Sequence, residues 1–288
     1  MQVSPSMPGE VPAPADRLVP ADRTAGAAAS TDSAAPSDPP SGRDPALVRA
    51  MFDALAPRYD LFNDVLSAGI HRRWRARAID ALAPEDGRRY LDLCAGTLDL
   101  ALAILARAPR AQVTGVDFSL PMLARGCAKS RERAGRRGGA PVRPVAADAL
   151  RLPFPDRTFA GCTIGFGLRN LADYGAGLAE IRRVLEPGGR VAVLEFTTPP
   201  GRLFRAVYHG YFHHVLPRLG ARIAGNPGTA RYLPDSVSRF PGPAALAALL
   251  EDGGFTEVRW RLLTRGIAAL HTGVRAPGTG RDVPRARE

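Results

Sequence analysis

Asp117 closes an apolar run, Val113–Val116, and a carboxylate at the end of such a strand can accept hydrogen bonds from both hydroxyls of a ribose. Upstream, an apolar run from Tyr90 ends at Asp92, and the turn Cys94-Ala95-Gly96-Thr97 leads into a helical pattern from about Asp99. Gly96 lets the backbone come close to a ligand. A pyrophosphate-binding turn needs three glycines, and this turn has one. The pattern therefore favours an adenosyl cofactor without phosphates over a dinucleotide. If that cofactor carries a sulfonium, Asp92 or Asp99 could stabilise the cation. Asp99 is equally well explained as a helix-start residue. Asp148, followed by Ala149, stands after a third apolar run, where a carboxylate can accept from an adenine amino group or cap a turn.

These residues need a scaffold, and the spacing supplies one. Asp44-Pro45 reads as a helix start, with the helix running to Ala56, and a second helix spans about Ile70–Leu82. Alternation follows: strand Tyr90–Leu93, helix Asp99–Ala106, strand Val113–Val116, helix Pro121–Arg133, a basic loop over Arg131–Gly139, then strand Val142–Ala146. The turn Leu152-Pro153-Phe154-Pro155-Asp156 precedes strand Phe159–Ile164. A helix over Tyr174–Leu185 ends at the turn Pro187-Gly188-Gly189, and strand Val191–Phe196 follows. Strands and helices alternating at this spacing imply a parallel sheet with crossover helices. Residues 201–240 break the pattern with a helical stretch and a loop. Helix Pro243–Asp252 and an antiparallel pair, Val258–Leu263 and Ala268–Val274, complete the chain.

The chain has 288 residues and a net charge of +11, which favours anionic surfaces or reflects simple arginine usage. Residues 1–44 are rich in Pro, Ala, Ser and Asp, without apolar periodicity, and are expected to be disordered. One domain is expected over 45–275, with a helical lid at about 201–240, followed by a flexible tail over 276–288. No run of 18 apolar residues exists, so no membrane span is expected, and no secretory signal is expected either. Cys94, Cys127 and Cys162, odd in number and without paired spacing, suit reduced cytoplasmic thiols. His209 and His213 lie one helical turn apart without further ligands, so no metal is expected.

Several motifs in this order resemble the class I S-adenosylmethionine-dependent methyltransferases, and within them the UbiE/COQ5 family of C-methyltransferases of menaquinone and ubiquinone biosynthesis. The similarity rests on Tyr59-Asp60-Leu61-Phe62-Asn63-Asp64, Leu66-Ser67, Gly69-Ile70-His71 and Trp74 near the start. It continues through Phe166-Gly167-Leu168-Arg169-Asn170, Arg183 to Gly189, Glu195-Phe196, Arg231-Tyr232-Leu233 with Ser236, and Gly266 to His271. It covers about residues 46 to 275. It implies an α/β Rossmann-like fold with a mostly parallel seven-stranded sheet, an antiparallel terminal strand, and helical N-terminal and lid segments. It also implies S-adenosyl-L-methionine held by Asp92, Gly96, Thr97, Asp117, Asp148, Ala149 and Gly165. The family's turn usually has glycine where this chain has Leu98, and a serine where it has Gly165. A leucine is strained at positive φ, so either the backbone at Leu98 is already helical or the loop is remodelled.

The implied substrate is a polyprenyl quinol, most simply demethylmenaquinol, with the corresponding ubiquinone-pathway benzoquinol as the alternative. The chemistry is loss of a phenolic proton, attack of the adjacent ring carbon on the methyl group, and loss of the ring proton. Arg169 is expected to stabilise the phenolate or order a water, since a guanidinium is a poor base. Asn170 could position either partner, and Tyr59, Asp60 and His71 are candidates to close the pocket. Residues 203–219 place Leu203, Phe204, Val207, Tyr208, Tyr211, Phe212, Val215, Leu216 and Leu219 on one helical face, with arginines and histidines around it. That face is a lid over the substrate, and it could also touch a membrane. The expected location is the cytoplasm, with peripheral contact at the inner face of the membrane. A dehydrogenase would need more glycines in the first turn. A nucleic-acid enzyme is disfavoured because the arginines at 131–137 lack interleaved aromatics. A non-catalytic cofactor-binding protein is the main alternative outside enzymes. The motifs leave the oligomeric state open.

Overall fold

A computed structural model describes residues 19–20, 44–211, 218 and 227–277. Its strands are β1 (Val19–Pro20), β2 (Arg89–Leu93), β3 (Gln112–Asp117), β4 (Arg143–Ala146), β5 (Phe159–Gly165), β6 (Leu185–Phe196), β7 (Phe255–Leu263) and β8 (Ala268–Arg275). Its helices are α1 (Pro45–Leu55), α2 (Tyr59–Ser67), α3 (Ile70–Leu82), α4 (Asp99–Arg107), α5 (Leu120–Arg137), α6 (Tyr174–Val184), α7 (Arg202–Gly210), α8 (Pro227–Arg239) and α9 (Pro243–Asp252). The strands form one sheet in the order β1-β7-β8-β6-β5-β2-β3-β4. From β4 to β6 the pairings are parallel, while β8 runs antiparallel to both β6 and β7. The antiparallel strand expected at the end of the chain is thus last in sequence but lies inside the sheet. The seven strands from β4 to β7 make the mostly parallel sheet implied by the motifs. Val19–Pro20 adds a two-residue antiparallel pairing on β7. The remaining residues before Asp44, and those from 278 onward, lie outside the described residues, as do the disorder and flexibility expected of them.

The central strands are buried on both faces, as parallel strands under crossover helices must be. Leu91, Leu93, Val191 and Val193 pack on the side of α6 and α9, against Leu178, Ile181, Leu246 and Leu250. The alternate residues Tyr90, Ala192 and Leu194 pack on the side of α3 and α4, against Trp74, Ile79, Leu82, Ile104 and Leu105. The period of two therefore directs Asp92, which shares Tyr90's face, toward the helices that follow it.

Local chemistry sets the element ends. The Asp44 carboxylate accepts from the Ala46 N–H at 2.9 Å with Pro45 in the first turn, Asp173 accepts from the Ala176 N–H at 2.9 Å, and Ser119 accepts from Met122. Three expectations need correction. The basic loop expected over Arg131–Gly139 is helical as far as Arg137: no proline interrupts the run, the lone Gly135 costs only about 1 kcal/mol, and Glu132 pairs with Arg136 one turn on at 2.5 Å. Tyr59–Ser67, which carried a motif but no expected element, is a helix, and it turns into α3 through the left-handed pair Ala68-Gly69. The Pro187-Gly188-Gly189 turn does not precede β6. It lies within the strand as an irregularity, with Gly188 at φ +78 and the register against β5 shifted there.

The backbone at Leu98 is not helical, as one of the two expected alternatives had it; it keeps the left-handed conformation. It sits at φ 64, ψ 25, immediately before α4, and is fully buried. Its side chain fills space left by two glycines. A Cβ built on Gly115 would lie 2.3 Å from Leu98 Cδ2, and one on Gly126 would lie 2.5 Å from Leu98 Cγ. The left-handed backbone costs about 1 kcal/mol, and burying a leucine offsets that. Leu98→Ala keeps the strain and loses the packing, a destabilisation of about 2–5 kcal/mol. Leu98→Gly loses the same packing but relieves the strain. Urea unfolding should therefore rank wild type above L98G, and L98G above L98A; an L98G less stable than L98A would refute this explanation.

Candidate active site

Two cavities open at the carboxyl ends of the parallel strands, where open α/β sheets bind ligands. The first, of about 580 Å³, is lined by Gly96 after β2, Asp117 at the end of β3 with Phe118, Asp148, Ala149 and Leu150 after β4, and Gly165 at the end of β5 with Phe166 and Gly167. Helix α1 covers it with Val48, Arg49 and Phe52. The second, of about 470 Å³, is bounded by Phe62, Trp74, Phe196, Tyr208, Tyr211 and Tyr232, with Arg169 and His71 among its polar groups. Phe52, Tyr59 and Phe166 line both cavities, so the two meet at these rings.

The first cavity suits a nucleoside without phosphates. Asp117 is 7% exposed; one oxygen accepts from the Gly96 N–H at 2.8 Å and the other from the Ser119 N–H at 2.9 Å. Burial raises its carboxyl above the usual value, opposed by those backbone donors. A carboxylate oxygen has a second lone pair, which leaves acceptor capacity for a diol. At the start of α4, the Ala101 N–H goes to Asp92 at 2.9 Å, so a protein carboxylate occupies the place a phosphate would take at a helix N-terminus. Asp148 accepts from the Leu150 N–H at 2.9 Å, which is a turn, and still lines the cavity.

Not every expected cofactor residue meets there. Gly96, Asp117, Asp148, Ala149 and Gly165 line the cavity; Asp92 and Thr97 lie behind it. Asp92 is 1% exposed and also accepts from the Thr163 hydroxyl at 2.8 Å; burial pushes its carboxyl up to about 7. Thr97 donates to Asp60 at 2.7 Å. Asp60 is therefore turned from both cavities into a polar hollow with Asp64, Arg75, Asp99 and Lys129. Burial opposes its charge, but Thr97 and Lys129 hold the Asp60 carboxyl below the usual range. Asp99 pairs with Arg75 at 2.6 Å and Lys129 at 2.5 Å in the same hollow, well suited to the helix-start role.

The loop after β5 shapes both cavities. Phe166 takes a left-handed backbone, φ 58, and the following short 3-10 turn carries Arg169 and Asn170. Arg169 lines the second cavity and Asn170 the first. Arg169 is 5% exposed and pairs with Glu195 of β6 at 3.0 Å; it also donates to the Phe166 carbonyl and lies 5.5 Å from the Phe196 ring centroid. Burial raises the Glu195 carboxyl, opposed by the Arg169 charge. Among the described residues the Arg169 Nε has no partner. Asn170 accepts from the Tyr232 hydroxyl of α8 at 2.8 Å. Tyr59 is half-buried, and loss of solvent around its hydroxyl pushes its phenol up.

Glu195, Asp64 and Tyr232 gain roles here that their motifs alone did not assign. Glu195 had a visible signal: an acid inside the apolar run Val191–Phe196 requires a buried partner. The cover by α1 had none. No helix among the described residues is long and apolar enough to cross a membrane. His213 of the expected histidine pair lies outside the described residues.

Fold and site together define a class I S-adenosylmethionine-dependent methyltransferase. The model of the ubiE/COQ5 methyltransferase family matches residues 41–275, and the chain belongs to that family. A demethylmenaquinone methyltransferase of Thermus thermophilus is 52% identical over 78% of this chain and 100% of its own length. Another from Deinococcus radiodurans is 48% identical, covering 78% and 91%. The ubiquinone/menaquinone biosynthesis C-methyltransferase UbiE of Paracoccus denitrificans is 42% identical, covering 79% and 90%. Among solved structures, the cyclase SpnF aligns with a TM-score of 0.59 at 18% identity, covering 80% of this chain and 96% of its own. An S-adenosylmethionine-dependent methyltransferase of Thermotoga maritima, a possible histamine N-methyltransferase, aligns at 0.54 and 16%, covering 79% and 99%. These two likenesses are of fold.

The Asp92 carboxyl yields a pH prediction. Its folded value is raised, so its contribution to stability is present below about pH 4 and is lost as pH rises to about 7. Asp92→Asn can keep both hydrogen bonds without titrating. D92N should gain on wild type by up to ~4 kcal/mol as pH rises from about 4 to about 7 in urea unfolding. A difference constant with pH would contradict the buried, raised carboxyl.

Proposed function

We propose that this chain methylates a ring carbon of a prenylated quinol, with demethylmenaquinol the substrate. The observation that carries this is the pair of adjoining cavities, one fitted to an adenosyl cofactor and one walled by aromatics around the buried Arg169, meeting at Phe52, Tyr59 and Phe166. The names of the relatives support menaquinone over ubiquinone, since the two at 52% and 48% identity are demethylmenaquinone methyltransferases.

S-adenosylmethionine supplies, when bound, an electrophilic methyl group on a sulfonium. In this proposal Asp117 receives its ribose hydroxyls, Asp148 its adenine, and the bare backbone at Gly96 its amino-acid part, while Ala149 and Gly165 shape the walls. The quinol ring lies against the wall that Phe166, Phe196 and Trp74 form by packing on one another with centroids 4.5–6.2 Å apart. Arg169, held by Glu195, donates to a quinol oxygen and favours its phenolate, which raises electron density on the neighbouring ring carbon. Asn170, fixed by Tyr232, sets the loop between the two partners. Excluding water from the aromatic cavity strengthens each of these interactions.

The site also calls for a route to a lipid-borne substrate. Leu61 and Val65, one turn apart on α2, are 55% and 40% exposed, on the helix whose Phe62 and Leu66 line the quinol cavity. Tyr208 and Tyr211 of the lid face that cavity, whereas 212–217 lie outside the described residues. This supports a protein at the inner face of the membrane, with the prenyl tail leaving beside α2 and the lid. L61S/V65S should lower co-flotation with anionic liposomes by at least about tenfold, given the apolar area removed; unchanged flotation would count against this face.

Complementation tests the activity. The chain should restore methylated quinone in a bacterium lacking its own quinone C-methyltransferase, with the quinones assigned by mass; persistent unmethylated quinone would refute the proposal. Arg169→Lys keeps the charge but loses the fork. It should lower kcat by about 10²-fold while cofactor affinity by calorimetry stays near wild type; equal loss of both would refute the division of roles.

A further inference from the structure

The quinol must give up a phenolic proton, and the aromatic cavity offers few places to put it. Among the described residues, its titratable lining side chains are Tyr59, Tyr208, Tyr211, Tyr232, Arg169 and His71. No carboxylate among the described residues lines it: Glu195 lies behind Arg169, and Asp60 and Asp64 line the outer polar hollow instead. Burial raises the phenols of Tyr59, Tyr208 and Tyr211, which keeps them protonated. The Tyr232 hydroxyl donates its proton to Asn170, and a guanidinium holds its proton. That leaves His71.

His71 stands in the first turn of α3, 5% exposed, and lines both the quinol cavity and the outer hollow. Its Nε2 lies 2.7 Å from Asp64 Oδ1. A carboxylate only accepts, so Nε2 carries the ring proton and the neutral ring has its lone pair on Nδ1. Among the described residues Nδ1 is buried and has no hydrogen-bond partner. Asp64 lines the hollow and not the quinol cavity, so the Asp64 bond takes the polar side of the ring. Arg72 holds the other Asp64 oxygen at 2.7 Å, which fixes the carboxylate. A carboxylate that orients an imidazole and leaves its second nitrogen free is the arrangement of a general base.

We infer that His71 is the general base of the methyl transfer and that Asp64 is its positioning residue. This rests on the quinol reading above. In the step, the quinol O–H bond breaks, its proton forms an N–H bond on Nδ1, and the electron pair stays on the oxygen. The ring carbon then forms a bond to the methyl group as the methyl–sulfur bond of the bound cofactor breaks, and the sulfur keeps that electron pair and leaves as the neutral thioether of S-adenosylhomocysteine. The ring proton displaced from that carbon leaves to water, and His71 returns its proton to the oxygen. One proton is released per turnover, and the base is regenerated.

The charged groups around His71 set its working range. Asp64 and Asp60 face it from α2, Arg72 and Arg75 from α3, Asp99 from α4 and Lys129 from α5, with Arg169 across the quinol cavity. Burial lowers the pKa of its imidazolium below the usual value, and Asp64 opposes that. The ring is therefore neutral, and able to accept, at neutral pH.

The test is a pH profile of kcat on the full chain with S-adenosylmethionine and a short-chain demethylmenaquinol kept reduced. Wild type should show an acid limb that reports His71. H71Q can still reach Asp64 but has no basic nitrogen. It should lose kcat by about 10²–10⁴-fold and lose the acid limb, with S-adenosylhomocysteine affinity within about threefold of wild type. D64N should move the limb to lower pH, since Asp64 raises the His71 value, and this arm stands even if H71Q folds poorly. An H71Q with kcat near wild type, or a D64N profile that does not move, would overturn the assignment of the base. An inactive wild type would overturn the quinol reading itself, and is told apart by that result.

Discussion

The buried pair Arg169–Glu195 is the interaction on which the rest of the site depends. It ties the loop after β5 to the neighbouring strand β6 at a depth where neither charge meets water. Breaking such a pair from one side costs about 3–5 kcal/mol, because the partner is left buried and uncompensated. The pair fixes more than one residue. Arg169 also grips the Phe166 carbonyl, so the ring that separates the two cavities and the Asn170 side chain next to it are held in one unit. The same guanidinium therefore fixes the wall between the two cavities and, in the proposed reading, presents a donor to the quinol.

A second network performs the corresponding task on the N-terminal side. Lys129, Asp60, Thr97 and Asp99 connect α2 to the turn before α4. Helix α2 carries Tyr59 at the junction of the cavities and Asp64 beside His71. Its polar face is anchored to the scaffold, and its apolar face lines the quinol cavity. The lid helix adds Tyr211, whose hydroxyl donates to the Leu66 carbonyl. The reacting groups are thus positioned by elements that each bridge to the sheet, which is how a site on loops can be kept rigid.

Much of this was legible in the chain itself. Asp117 and Gly96 follow from strand ends and a single-glycine turn, and α3 and α9 have the bounds that apolar periodicity predicts. Arg169 and Asn170 followed from a motif. Other features depend on distance in space. Leu98 looks strained until Gly115 and Gly126, far from it in sequence, are seen to vacate the space it fills. Asp60 belongs to a motif at the site, yet Thr97 and Lys129 draw it outward. Asp92 ends the first strand, as a cofactor ligand would, but the pleat turns it to α4. The helix over Tyr59–Ser67 was hidden because its short polar-aromatic run is explained only by the two surfaces it joins.

The central claim is that one methyl group passes to a ring carbon of a quinol in the cavity beside the cofactor. The direct measurement is incubation of the purified chain with S-adenosylmethionine and reduced demethylmenaquinol, with the product assigned by NMR. The account predicts a single new methyl on the ring carbon next to a hydroxyl-bearing carbon. A methyl found on oxygen, or a quinol recovered unchanged with cofactor bound, would contradict it.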